Sequence, residues 1–143
     1  MLATDVLAFL RAPRCAVIAT HESDGVIRQA VVWYVVTPQG IVMNSLQGRR
    51  WLTNLRRDPR LAMAVVDGEE YVILRGTVVV VDDPDRGQAE ARALARHYGG
   101  DPDAHAGQVR VSVLFDPEGV ALHGRLAASA VIDPAEPEVS GSW

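Results

Sequence analysis

The stretch SLQGRRWLTNLRRDPR, residues 45–60, sets five arginines (Arg49, Arg50, Arg56, Arg57 and Arg60) against a single carboxylate, Asp58. It therefore carries +4 in a chain whose net charge is −4, so the remainder carries −8. Arginines gathered in this way suit recognition of a phosphate or carboxylate, which their planar forks can grip through two parallel bonds. From Gly48 to Arg57 the spacing of Trp51, Leu52 and Leu55 predicts a short helix, ended by Asp58-Pro59. At about 100° per residue those three turn inward. Arg50, Asn54 and Arg57 then line one flank, and Arg49, Thr53 and Arg56 lie round the far side. Arg50 and Asn54, one turn apart, can reach the same ligand group beside the free N–H groups and positive dipole end of the helix. Ser45 adds a hydroxyl, and Gly48 lets a ligand approach the backbone. Basic charge at a helix start opposes the dipole by a few tenths of a kcal/mol, roughly, a cost that an anionic ligand reverses. Arg56, Arg57 and Arg60 are equally well explained as surface ion-pairing residues.

The rest of the composition narrows the chemistry. Every basic side chain is Arg, so no Lys is available for a Schiff base or as a general base. No GxSxG, HExxH, GxxxxGK[ST] or GxGxxG occurs, and His21, His97, His105 and His123 stand singly. His105 beside Asp101 and Asp103 reads as a surface loop. The lone Cys15, in the apolar run CAVIAT, reads as a buried, inert thiol and excludes an internal disulfide. Net acidity and the lack of a continuing basic stripe argue against nucleic acid. If the protein is an enzyme, a bound cofactor carries the reaction.

These residues must be positioned by a mainly β chain. At 143 residues, with 48% hydrophobic content, it has the length of one domain with a real core. A helix is predicted over 4–11, then strands over 15–20, 26–36 and 40–45, the arginine helix, and strands over 61–67 and 71–83. The clearest helix follows, capped by Asp83, with Pro84 in its first turn, Ala91, Leu94, Ala95 and Tyr98 on its buried face, and Gly99-Gly100 at its end. Strands over 109–115 and 120–124, separated by the turn DPEG, complete a six- to seven-stranded antiparallel barrel with peripheral helices. Residues 1–125 form the domain, and 126–143 read as a flexible tail. No run approaches the roughly 20 apolar residues of a membrane span, and the N-terminus is a poor signal peptide, so a cytoplasmic location is expected.

The ordered set of Ala-Thr closing the first strand, Asp24-Gly25, VVWY, S-x-x-GRR-x-x-x-NLRRDPR, YVILRGTVVVV-DDP, RHYGG and VRVSV resembles the pyridoxamine 5′-phosphate oxidase-like split β-barrel family. The resemblance spans about residues 5 to 124, and NLRRDPR and RHYGG are most similar to the branch using the deazaflavin coenzyme F420. It implies an FMN-binding-type split barrel that forms a homodimer, with the cofactor in a groove at the subunit interface. It further implies an oxidoreductase passing hydride from reduced F420 to a small, conjugated organic substrate. The alternatives are an FMN-dependent oxidoreductase or a non-enzymatic flavin- or haem-binding protein. Carried onto this chain, the resemblance assigns the cofactor phosphate to Ser45, Arg49 and Arg50, with Asn44, Gly48 and Asn54 beside them. It lays the ring along Val31, Val32 and Trp33. Trp51 stands where many deazaflavin-using relatives have Lys, which makes Arg50 the substitute cation. No metal and no catalytic side chain are implied.

Overall fold

Alternation of inward apolar and outward side chains builds most of the chain. The computed structural model describes residues 2–128. Among them are strands β1 (Ala16–His21), β2 (Ile27–Val32), β3 (Tyr34–Thr37), β4 (Gly40–Leu46), β5 (Arg60–Asp67), β6 (Glu70–Val81) and β7 (Arg110–His123). Helices α1 (Thr4–Arg11), α2 (Arg50–Arg57) and α3 (Pro84–His97) lie outside them, and a 3₁₀ turn over Gly124–Ala128 follows β7. All seven strands pair antiparallel in one curled sheet, in the order β2-β1-β5-β6-β7-β4-β3. Ile18, Met43, Met63, Leu74, Val113 and Phe115 fill its inside and are buried.

The run expected as one strand over 26–36 is two. Val32 pairs with Ala16 of β1, whereas Tyr34 pairs with Met43 of β4, so the chain changes partner across Trp33 alone. One stretch of chain thereby supplies both edge strands, which curls the sheet into a split barrel. A change of partner strands backbone groups at the joint. Tyr98, just past α3, answers this: its hydroxyl accepts the Tyr34 N–H at 3.2 Å and lies 2.7 Å from the Arg14 carbonyl. Its ring stacks on Trp33, with centroids 4.5 Å apart.

Helix α3 starts and stops as its sequence predicts. Asp83 Oδ1 accepts the Arg86 N–H at 3.2 Å, and beyond the helix Gly99, with φ +75°, returns the Gly100 N–H to the Ala95 carbonyl at 2.7 Å. Ala91, Leu94 and Ala95 are buried. The helix crosses β7 at Gly87, where a Cβ would lie 2.0 Å from the Arg110 carbonyl oxygen. Gly87→Ala is therefore expected to destabilise the protein by about 3 kcal/mol through forced separation of α3 from β7. Chemical denaturation checks this.

Three further expectations are corrected. The DPEG turn does not exist: Asp116 and Pro117 lie within β7, opposite Thr77 and Gly76, at a register shift. A bulge accommodates a proline that cannot donate to a ladder. Gly76 allows the close approach, since a Cβ there would sit 2.2 Å from the Asp116 carbonyl oxygen. Cys15 is exposed, not buried, because Ala16, Ile18 and Thr20 take the inward positions of β1 and leave odd-numbered residues outside. At the other end Leu126, expected in the tail, is buried within the 3₁₀ turn; the tail residues 129–143 lie outside the described residues.

Candidate functional site

Extending the β3–β4 register would set Val32 against Ser45, but Val32 is already paired to β1. The two strands diverge, and the edge of β4 at residues 44–46 loses its strand partner on that side. A cleft of about 430 Å³ opens in the gap, within the range of small-molecule sites. One wall is Ala30, Val31, Val32 and Trp33; the other is Asn44, Ser45 and Leu46. Arg49, Trp51, Ala91, Leu94, His105 and Arg110 line the rest.

The predicted site residues divide accordingly. Val31, Val32, Trp33, Asn44, Ser45 and Arg49 come together around the cleft, whereas Gly48, Arg50 and Asn54 do not line it. Gly48, with φ +91°, makes the turn into α2, and Arg49 stands at the helix N-cap. Asn54 faces inward at 2% exposure and donates from Nδ2 to Thr20 Oγ1 at 3.2 Å. The buried face of α2 is thus wider than its apolar stripe, because β1 offers a polar partner at its margin. Arg50 turns away to Glu22, with Nε 3.0 Å from Oε1. Arg56 pairs with Asp82 through both terminal nitrogens, at 2.6 and 2.7 Å, and Arg60 pairs with Asp58 at 2.6 Å. Those two are surface ion pairs. Arg57 caps the His21 carbonyl instead.

Glu22 bridges Arg28 and Arg50, and these bonds, Arg28's first, hold its carboxyl below the ordinary 4.5. A depressed carboxylate contributes stability above the unfolded-state pKa and loses it as pH falls through the folded value. Below pH 4.5, therefore, Glu22 is expected to stay ionised longer than a free glutamate before it releases Arg50. Carboxyl-detected NMR titration of Glu22 tests this.

Arg110 is not singled out by the sequence, where it stands inside the strand run VRVSV. Its Nε donates to Asn44 Oδ1 at 2.8 Å and its Nη1 to Gln108 Oε1 at 3.0 Å. Burial, and then the nearby charge of Arg49, lower its pKa. Among the described residues neither Arg49 nor Arg110 has a carboxylate partner, and no Asp or Glu lines the cleft. The cleft thus sets an exposed cation, Arg49, and a half-buried one, Arg110, beside an apolar wall. No group of three or more His, Cys, Asp or Glu able to hold a metal occurs among the described residues. Nor is any described helix long and apolar enough to cross a membrane.

A curled antiparallel sheet split beside a cationic cleft defines the split-barrel class of flavin-binding and oxidoreductase-type proteins. Pyridoxamine 5′-phosphate oxidase is the family that matches, over residues 2–124, and the chain belongs to it. A solved structure named F420 reductase is 25% identical, with TM-score 0.70, covering 79% of this chain and 93% of its own. Rv2991 of Mycobacterium tuberculosis is 21% identical with TM-score 0.75, covering 100% and 93%. The haem storage protein HutZ of Vibrio cholerae, 14% identical with TM-score 0.63 and covering 81% and 90%, shares the fold. No curated protein matches by sequence.

Proposed function

We propose that this protein is an oxidoreductase that uses reduced deazaflavin coenzyme F420 to deliver hydride to a small, conjugated organic substrate. The observation that carries the reading is the pair Arg49 and Arg110, unpaired by carboxylates among the described residues, lining a cleft walled by Val31, Val32 and Trp33. Those residues fit a phosphate-bearing tricyclic ring: cations for the anion, an apolar strand for the ring. The likeness to an F420 reductase at 25% identity supports deazaflavin over FMN. FMN is the second reading, favoured by the family's own description and by the same phosphate chemistry.

When bound, the cofactor supplies the hydride. The chain's part is to bind and orient. Arg49 would hold the phosphate end, with Ser45, whose hydroxyl donates to the Leu46 carbonyl at 2.9 Å, in the wall beside it, and Val31, Val32 and Trp33 would lie against the ring. Trp33 is itself fixed by Tyr98, so the wall is set before ligand arrives.

A homodimer belongs to the same reading. The outward positions Val31, Val17, Ala64, Ile73 and Ala121 are register neighbours across five strands, and Val31, Val17 and Val66 are 69%, 40% and 57% exposed. An apolar outer sheet face of this kind supports burial against a second copy. Because Val31 also lines the cleft, the partner would border the site. Val66→Asp is expected to give a monomer by sedimentation velocity, and an unchanged dimer would remove this part.

The deciding experiment mixes the purified protein separately with F420 and FMN and follows fluorescence polarisation. F420 binding, followed by loss of reduced-deazaflavin absorbance with an enone, is the expected result. Failure of both cofactors to bind at micromolar concentration defeats the oxidoreductase reading, and binding of FMN alone transfers it to FMN.

A further inference from the structure

Arg110 is held in an unusual way for a half-buried arginine. Both of its side-chain acceptors are neutral carboxamides, Asn44 and Gln108, although the chain carries 18 Asp and Glu. Each carboxamide is itself positioned. Asn44 Nδ2 donates to the Gly87 carbonyl at 2.9 Å, which orients its oxygen toward Arg110. Gln108 sits in a loop whose carbonyls at 105 and 108 are both tied by Gln88 Nε2, at 2.8 and 2.6 Å. Two bonds from amides fix the direction of a guanidinium without cancelling its charge; carboxylates in the same places would do both. A partly desolvated cation left uncompensated is costly, and the neighbouring charge of Arg49 raises that cost. An anion in the cleft removes it.

We propose that Arg110 is a second anion-binding residue of the cleft, acting with Arg49 on a phosphate group, and that Asn44 and Gln108 are positioning residues that aim it while leaving its charge available. Asn44 therefore acts through Arg110 rather than on the ligand. The inference rests on the cofactor reading only for the identity of the molecule that bears the phosphate.

Gln108→Glu is the informative variant: it changes one side-chain group in a partly exposed loop and gives Arg110 a carboxylate. Inorganic phosphate serves as the probe, followed by the Arg110 Nε–H resonance in NMR, with F420, FMN and phosphate-free riboflavin titrated in parallel. Phosphate is expected to shift the Arg110 resonance in the wild type. Gln108→Glu should weaken phosphate and whichever phosphate-bearing cofactor binds by about tenfold, the size of one lost charge-assisted bond. Riboflavin affinity should be unchanged, and the melting temperature should rise or hold, so that the loss is not one of folding. Gln108→Ala keeps the charge free but loses one aiming bond, so it should weaken phosphate by about threefold, clearly less than Gln108→Glu. Phosphate affinity in Gln108→Glu equal to that of the wild type, or a phosphate response confined to Arg49, overturns the proposal. If phosphate behaves as expected but neither cofactor binds, the cofactor reading falls and this one stands. If a phosphate-bearing cofactor binds Gln108→Glu and the wild type equally, the outcome is reversed.

Discussion

Arg49→Ala is expected to weaken binding of a phosphate-bearing cofactor by about ten- to a hundredfold, the worth of one charge-assisted bond at roughly 1.5–3 kcal/mol. The fold should be untouched, because the Arg49 side chain is exposed and bonds to nothing among the described residues. Arg50→Ala is the contrast. Its guanidinium is bound to Glu22 outside the cleft, so cofactor affinity should stay within about twofold, as for an exposed ion pair of little net worth. Fluorescence titration of the two variants side by side reads the difference. Equal losses in both would return the anchoring role to Arg50 and remove the distinction drawn between these neighbours.

The second large effect belongs to the joint of the barrel. Tyr98→Phe keeps the ring that stacks on Trp33 but removes the oxygen serving the Tyr34 N–H and the Arg14 carbonyl. Leaving two partly buried backbone groups unsatisfied is expected to cost about 2–4 kcal/mol. Urea unfolding followed by tryptophan fluorescence measures it, and a loss below about 0.5 kcal/mol, the scale of an ordinary surface substitution, would mean that water replaces the hydroxyl.

Much of this was legible in the residues. β-Branched and apolar runs between turn signals locate the strands, and Asp83, Pro84 and Gly99-Gly100 mark both ends of α3. Ser45 and Arg49 are singled out by local spacing at the turn before α2, whereas Val31, Val32 and Trp33 are singled out through the family resemblance alone; the structure brings all five to one cleft. What was not legible is long-range. Nothing in VVWYVV says that the chain changes partner at Trp33, since both halves are equally good strands and the break is stabilised by the hydroxyl and ring of Tyr98, 64 residues from Tyr34. Arg110 belongs to the cleft because β7 pairs with β4, a contact across 66 residues. Asn54 was assigned to the wrong side because helical periodicity gives angles around an axis but not how far the neighbouring wall reaches. The DPEG turn failed similarly: the residues favour a turn locally, yet pairing along the whole of β6 is the stronger influence.

The divergence of β2 from β4 sets stability against binding. Had the register of β3 continued back through Trp33, Val32 would meet Ser45 and Val31 would meet Leu46, adding rungs of backbone pairing at about 1 kcal/mol each. The same zippering would erase the cleft. A population of variants screened only for a higher melting temperature should therefore drift toward sequences that close this seam, and the hardiest among them should have lost their ligand.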